Sequence, residues 1–233
     1  MKVSTMSDRV IEERYDCLKL RCNGSILVQE IESIIRQEIE LPDKYGLEEL
    51  HRKVTVDKVN SLRINCFRLI NEIKDWKEKI LEIISPEIQC LIGPDIAIQR
   101  QLNLSIQMPN DMKSILEPHK DYRSGDSPFQ KVVWVAITDS YGSNAMVMER
   151  GNQLESVAVR RGEAIIFDPN TQHGNKCNET KHTRISINVR VKNWFTPDLG
   201  EIMPDRQFGE YYEDLCFSKS TLRAFEIVRE SFG

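Results

Sequence analysis

The sequence predicts a mainly β protein: a sandwich or barrel core, with a helical layer before it and helices after it. Three observations lead there. From about residue 96 the chain becomes a series of short alternating or apolar segments separated by turn residues. That spacing suits a sandwich or barrel and not a β-α-β sheet. Ahead of it, Val56, Val59, Leu62, Cys66, Leu69, Ile70, Ile73, Ile80 and Ile84 form one apolar stripe at helical spacing. The length of 233 residues allows one large domain that buries its core without staples.

Taken in order, residues 1–25 read as a loosely held lead-in. Leu27, Val28, Ile31, Ile34, Ile35 and Ile39 predict a helix over 26–40, ended at Leu41-Pro42 because the residue before proline is pushed out of the α region. Asp43 is placed to cap a short segment, Lys44 to His51. The stripe predicts one helix over 56–84, stopped at Ser85-Pro86. Strands follow: one or two over Ile96–Met108, then Lys131–Thr138, Ala145–Glu149, Glu155–Arg160, Ala164–Asp168 and Arg184–Lys192. From Phe208 the tail reads as helical, with Ser218 capping a helix that carries Leu222, Phe225 and Val228. The expected organisation is one domain over 1–233: helical layer 1–94, β-core 95–195 and helical tail 196–233.

Composition excludes several classes. Apolar residues make up 40% and charged residues 29%, with a net charge of −4 and both signs interspersed. No basic block points to nucleic acid. The longest apolar run, Val132 to Ile137, is six residues, far short of a membrane span. The six cysteines show neither a disulfide framework nor a zinc ribbon, and the start lacks a signal-peptide core. A cytoplasmic protein with free thiols is expected.

The chemistry concentrates at His119-Lys-Asp121. Glu117-Pro118 keeps its approach extended, and a loop follows it. His173 comes 54 residues after His119, also beside a turn. Two imidazoles and one carboxylate can occupy one face of a ferrous ion and leave the other open. An HxD pattern alone is common, and a lone histidine is more often structural. Yet the chain has only four histidines, and of the others His51 lies in the helical part and His182 in an exposed turn. Arg184, Ser186, Asn188 and Arg190 share one face of an alternating strand whose other face is Ile185, Ile187, Val189 and Val191. Such a face is either the wet side of an edge strand or the wall of a cavity. A guanidinium there offers two-point recognition of a carboxylate.

These stretches resemble the Fe(II)- and 2-oxoglutarate-dependent dioxygenases, a family within the phytanoyl-CoA-dioxygenase-like superfamily. More narrowly they are similar to the oxygenases of carbohydrate and streptomycin-type gene clusters. The resemblance covers roughly residues 95–215. It runs through His119 to Trp134, Ile166 to Asn175, and Asn178 to Arg190. It implies a double-stranded β-helix (jelly-roll, cupin-like) core, with Fe(II), 2-oxoglutarate and O2 as cofactor and cosubstrates. His119, Asp121 and His173 would bind iron. Arg184, helped by Ser186, would pair with the distal carboxylate of 2-oxoglutarate. Gln101, Asn103 or Gln107 would reach cosubstrate or substrate. Substrate contacts would come from Arg123, Ser124, Asp126, Trp134, Asn175, Asn178 and Arg190, the two arginines meeting phosphates if a nucleotide-linked sugar is taken. A carboxylate at Asp121 favours hydroxylation or another oxidation over halogenation, since related halogenases have a small residue there. The implied partner is a small sugar-like molecule, with no nucleic acid and no membrane. The terminal helices are available for a homodimer. Two other readings stay open: a cupin-type sugar isomerase or epimerase, and a non-catalytic sugar-binding sandwich.

Overall fold

The structure is a computed structural model that describes residues 9–14, 17–21, 25–197 and 209–232. In chain order the elements are β1 (Val10–Arg14), β2 (Cys17–Arg21), α1 (Ile26–Glu38), α2 (Val59–Asn71), α3 (Trp76–Ile84), α4 (Glu87–Ile92), β3 (Ile96–Gln99), β4 (Asn103–Gln107), β5 (Leu116–His119), β6 (Gln130–Ala136), β7 (Met146–Arg150), β8 (Gln153–Val157), β9 (Glu163–Phe167), β10 (His173–Asn175), β11 (Arg184–Asn193), β12 (Tyr212–Cys216) and α5 (Lys219–Phe232). An eight-stranded sheet runs β1-β2-β9-β6-β11-β3-β12, with β4 also paired to β11. A four-stranded sheet runs β5-β10-β7-β8. Every strand pair is antiparallel. Two facing antiparallel sheets flanked by helices are the expected double-stranded β-helix.

Alternation along the strands divides the interior in two. Val133, Val135, Ile137, Ala164, Ile166, Ile185, Ile187, Val189 and Val191 pack with the helices, whose Leu27, Ile31, Ile35, Ile70, Ile80 and Ile84 are fully or almost fully buried. Val132, Trp134, Ala136, Ile165 and Phe167 face the small sheet, against Met146, Met148 and Val157. Each fully buried Leu or Ile stabilises the fold by roughly 1.5–3 kcal/mol. A strand buried on both faces has no polar side, which is why Val132 to Ile137 reads as an unbroken apolar run.

Four elements differ from expectation. The lead-in is not loose: residues 10–14 and 17–21 form a hairpin, and β2 pairs with β9. Leu18 and Leu20 enter the helix-side core, while Lys19 on the opposite face reaches the Ala158 carbonyl at 2.8 Å and Glu163 at 2.9 Å. The stripe over 56–84 is two helices. Asp75 adopts φ 55, a left-handed conformation in which the helix cannot continue. Both segments still turn their apolar faces to one core, so the pattern runs through the break. The segment after Asp43 is a 3-10 turn, Leu47–Arg52, entered from Gly46 with no side-chain cap. The tail opens as strand β12, paired to β3, before α5 begins. There Ser218 does cap: its Oγ accepts the Thr221 amide at 3.2 Å. No helix among the described residues is long and apolar enough to cross a membrane. The five described cysteines are free thiols.

Candidate metal centre

His119 closes β5 and His173 opens β10, and the two are direct cross-strand partners. Their ring centroids lie 4.6 Å apart. Asp121 begins the 3-10 turn that follows β5, so it reaches the histidines from a turn and not from an extended strand. The outcome is the convergence that the HxD spacing predicts. Oδ1 of Asp121 lies 3.3 Å from Nε2 of His119 and 3.6 Å from Nε2 of His173.

The hydrogen bonds orient both rings for a metal. Nδ1 of His119 donates to the Glu117 carbonyl at 2.9 Å, and Nδ1 of His173 to the Thr171 carbonyl at 3.0 Å. A carbonyl only accepts, so the proton of each neutral ring sits on Nδ1. That leaves a lone pair on each Nε2, turned toward the carboxylate. Backbone carbonyls commonly fix metal-binding histidines in this way. Ligand atoms of the three residues all lie within 4.8 Å of one another. Burial alone would raise the Asp121 carboxyl. The hydrogen bond that His119 donates from Nε2 once it is protonated, and the Arg190 charge, outweigh it and hold the group down at about 2. The Asp121 hydrogen bond raises His119, and burial lowers His173. Two neutral nitrogens and one anion suit a first-row divalent ion with open positions.

His119 and His173 line a cavity of about 120 Å³ between the sheets, together with Ser105, Trp134, Phe167, Asn175, Arg184 and Arg190. Arg184 is buried to 5% exposure. Its Nη1 meets the Asn144 carbonyl at 3.4 Å and its Nη2 the Ser105 hydroxyl at 3.4 Å, while Nε has no partner. Its guanidinium stands 6.0 Å from the centre of the Trp134 ring. Among the described residues no carboxylate pairs with it, and burial lowers its pKa to about 10. The Ser186 hydroxyl, on the same strand face, is also buried without a partner. A buried cation with no counter-ion is costly. Here it lines the same cavity as His119 and His173.

No protein-family model matches the chain. Streptomycin biosynthesis protein StrG of Streptomyces griseus is 30% identical over 147 residues, covering 57% of this chain and 71% of StrG. The chain belongs to the StrG family. Among solved structures, HygX of Streptomyces hygroscopicus, with nickel and 2-oxoglutarate bound, matches with a TM-score of 0.51 at 11% identity. The match covers 84% of this chain and 91% of HygX, and it shows a shared fold.

In this StrG-family chain the remaining expected site residues separate into two groups. Trp134, Asn175 and Arg190 line the cavity with His119 and His173. Arg190 also serves the triad, because its Nη2 donates to Asp121 Oδ2 at 2.9 Å. Asn175 is held by its amide on the Ser114 carbonyl at 2.9 Å. Asn103 donates to Asn188 Oδ1 at 3.2 Å, and the Gln107 amide to the Lys176 carbonyl at 2.6 Å. Gln101 lies elsewhere, lining a separate cavity of about 320 Å³ with Gln99, Arg100, Glu210 and Tyr211. Arg123 and Ser124 are exposed on the turn after Asp121, with Arg123 Nε against the Tyr122 hydroxyl at 3.3 Å. Asp126 is buried beyond that turn and adds its charge to the surroundings of Arg190. Asn178 braces its own loop: its amide donates to the Gln107 and His182 carbonyls at 3.2 and 2.8 Å, and its oxygen accepts from Thr180. Ser105 was not expected. Its one signal is its place on the Asn103-x-Ser105-x-Gln107 face.

Gly174, between His173 and Asn175, permits a close approach of strands. A Cβ there would lie 2.5 Å from the Leu116 carbonyl oxygen and 3.0 Å from Pro118 Cα. Both are backbone atoms of β5, the edge strand that carries His119. Gly174→Ala is therefore expected to push β5 away and weaken metal binding at least tenfold, with a melting temperature lower by several degrees. Calorimetric titration with Ni(II) and a thermal melt check it, and unchanged values of both would refute the reading of this contact.

Proposed function

We propose that this chain is an Fe(II)- and 2-oxoglutarate-dependent oxygenase that hydroxylates, or otherwise oxidises, a carbohydrate-related small molecule. The observation that carries the reading is Arg184: a buried guanidinium without a carboxylate partner among the described residues, lining the same cavity as His119 and His173. His119, Asp121 and His173 would hold the iron. Arg184 would hold the distal carboxylate of 2-oxoglutarate, with Ser105 and Ser186 as hydroxyl donors. When bound, this pair supplies oxidation of a substrate C–H bond by O2, with 2-oxoglutarate converted to succinate and CO2. The chain's own work is to orient and to keep water out. Phe167 and Trp134 supply apolar walls beside the polar groups.

A sugar or nucleotide-linked sugar as substrate is supported by the name of the streptomycin-pathway relative. The substrate residues would be Trp134 and Asn175, with Arg123 and Asp126 near the mouth. Residues 1–233 would act as one domain, which the core shared by the helices and the large sheet supports, and would do so in the cytoplasm. As a homodimer the chain would meet through its terminal helices, since α5 exposes Leu222, Phe225, Ile227 and Val228. A cupin-type sugar isomerase would usually add a fourth protein ligand, whereas the cluster among the described residues has three members. A sugar-binding sandwich without chemistry would leave Arg184 unexplained.

The test is anaerobic addition of Fe(II) and 2-oxoglutarate, read as the weak visible metal-to-ligand charge-transfer band. The wild type is expected to show it and His119→Ala to lose it. No band in the wild type, or a band unchanged in the variant, sinks the reading.

A further inference from the structure

The two oxygens of Asp121 have different partners. Oδ1 faces both histidines, at 3.3 and 3.6 Å. Oδ2 is held by Arg190 Nη2 at 2.9 Å. The arginine is itself fixed. Its Nη1 donates to Asn188 Oδ1, which also accepts from the Asn103 amide at 3.2 Å. Its backbone N–H donates to Gln99 Oε1 at 3.1 Å. Gln99 and Asp121 are both buried. The guanidinium plane is thereby pinned at two nitrogens to two different acceptors.

We propose that Arg190 is a positioning residue that holds Asp121 to one-oxygen coordination. It thereby keeps open the metal position that the second oxygen would otherwise take. This rests on the metal reading of the triad. A carboxylate binds a cation through one oxygen or both, as its surroundings dictate. Three protein atoms on one face of an octahedral ion leave three positions. A cosubstrate that chelates needs two of them and O2 needs the third. A chelating Asp121 would remove one and compete with the cosubstrate. Arg190 prevents this by occupying Oδ2. It does so although a cation beside the site repels the metal, so the arrangement is not one that maximises metal affinity alone. Asn188 and Asn103 then act at one and two removes from the carboxylate, as the brace behind the arginine.

The test uses the full chain loaded with Co(II), without cosubstrate, with coordination read from a crystal structure or X-ray absorption. In the wild type only Oδ1 is expected within bonding distance, with Oδ2 still on Arg190. In Arg190→Gln both oxygens are expected to bind, and the affinity of the Co(II) protein for 2-oxoglutarate to fall at least tenfold. Mutation of an outer partner typically changes such sites by ~10–100-fold. If Co(II) draws Oδ2 away from Arg190 in the wild type, the proposal is overturned, and this measurement stands even where the glutamine variant does not fold. One-oxygen binding in Arg190→Gln overturns it as well. Failure of the wild type to take up Co(II) overturns it together with the metal reading, whereas the first two outcomes leave the triad intact.

Discussion

Asp121→Ala is expected to abolish metal binding and to lower the stability of the metal-free protein by about 3–5 kcal/mol. Both effects come from one carboxylate with two duties. Its side chain is 3% exposed, and that of its partner Arg190 is 16% exposed. Alanine removes a metal ligand and also strands a largely buried cation. His173→Ala removes a ligand but leaves the ion pair, so its metal loss should come with a smaller stability loss. Replacing Arg190 by Met in the Asp121→Ala background should recover much of the stability, since removing both partners leaves no uncompensated charge. The pH dependence has a definite sign. The Asp121 carboxyl is held at about 2, below its ordinary 3.8. Its contribution is therefore complete above about pH 4 and is lost as the pH falls through about 2. The stability gap between wild type and Asp121→Ala should narrow over that window. Urea unfolding at several pH values and titration with Ni(II) measure both quantities. Metal affinity retained within tenfold, or a gap that widens on acidification, would contradict this account.

Arg184→Met is expected to move binding and stability in opposite directions. Truncating one partner of a buried charge pair costs about 2–5 kcal/mol, or roughly 30- to 4,000-fold in affinity for 2-oxoglutarate. The cosubstrate-free protein, by contrast, should gain about 1–2 kcal/mol, because an unpaired guanidinium leaves the interior and a chain of similar length fills its place. Thermal melts with and without metal and 2-oxoglutarate separate the two. The wild type should rise on adding cosubstrate, and the variant should start higher and not respond. A variant that melts lower and still binds 2-oxoglutarate normally would show that Arg184 is there for packing.

Much of this was legible because it depends on periodicity. The Arg184–Arg190 face follows from period two, and β6 and β9 follow from short apolar runs bounded by turn residues. The triad was legible because two scarce histidines fell beside turns. What stayed hidden has local causes. The paired strands β1 and β2 have only Leu18 and Leu20 to announce a helix-side buried face, too short an alternation to read. The break at Asp75 has no glycine or proline to mark it. In β12 only Tyr212 is fully buried, so no alternation appears. Ser105 is a small hydroxyl whose role depends on a guanidinium 79 residues away. Arg190 showed its residue type but not its partner, because the pairing crosses from β11 to a turn after β5.

The large sheet, with one face in each core, is a partition wall within the molecule. Val132 and Val133 are neighbours in the chain, yet one looks toward the chemistry and the other toward the helices. Between the two cores stands the backbone of that wall, and Val59, Asn60 and Arg63 of α2 come nearest to crossing it, sharing a cavity with Ser105. The wall therefore lets the chamber keep its chemistry while the cladding away from Ser105 is exchanged.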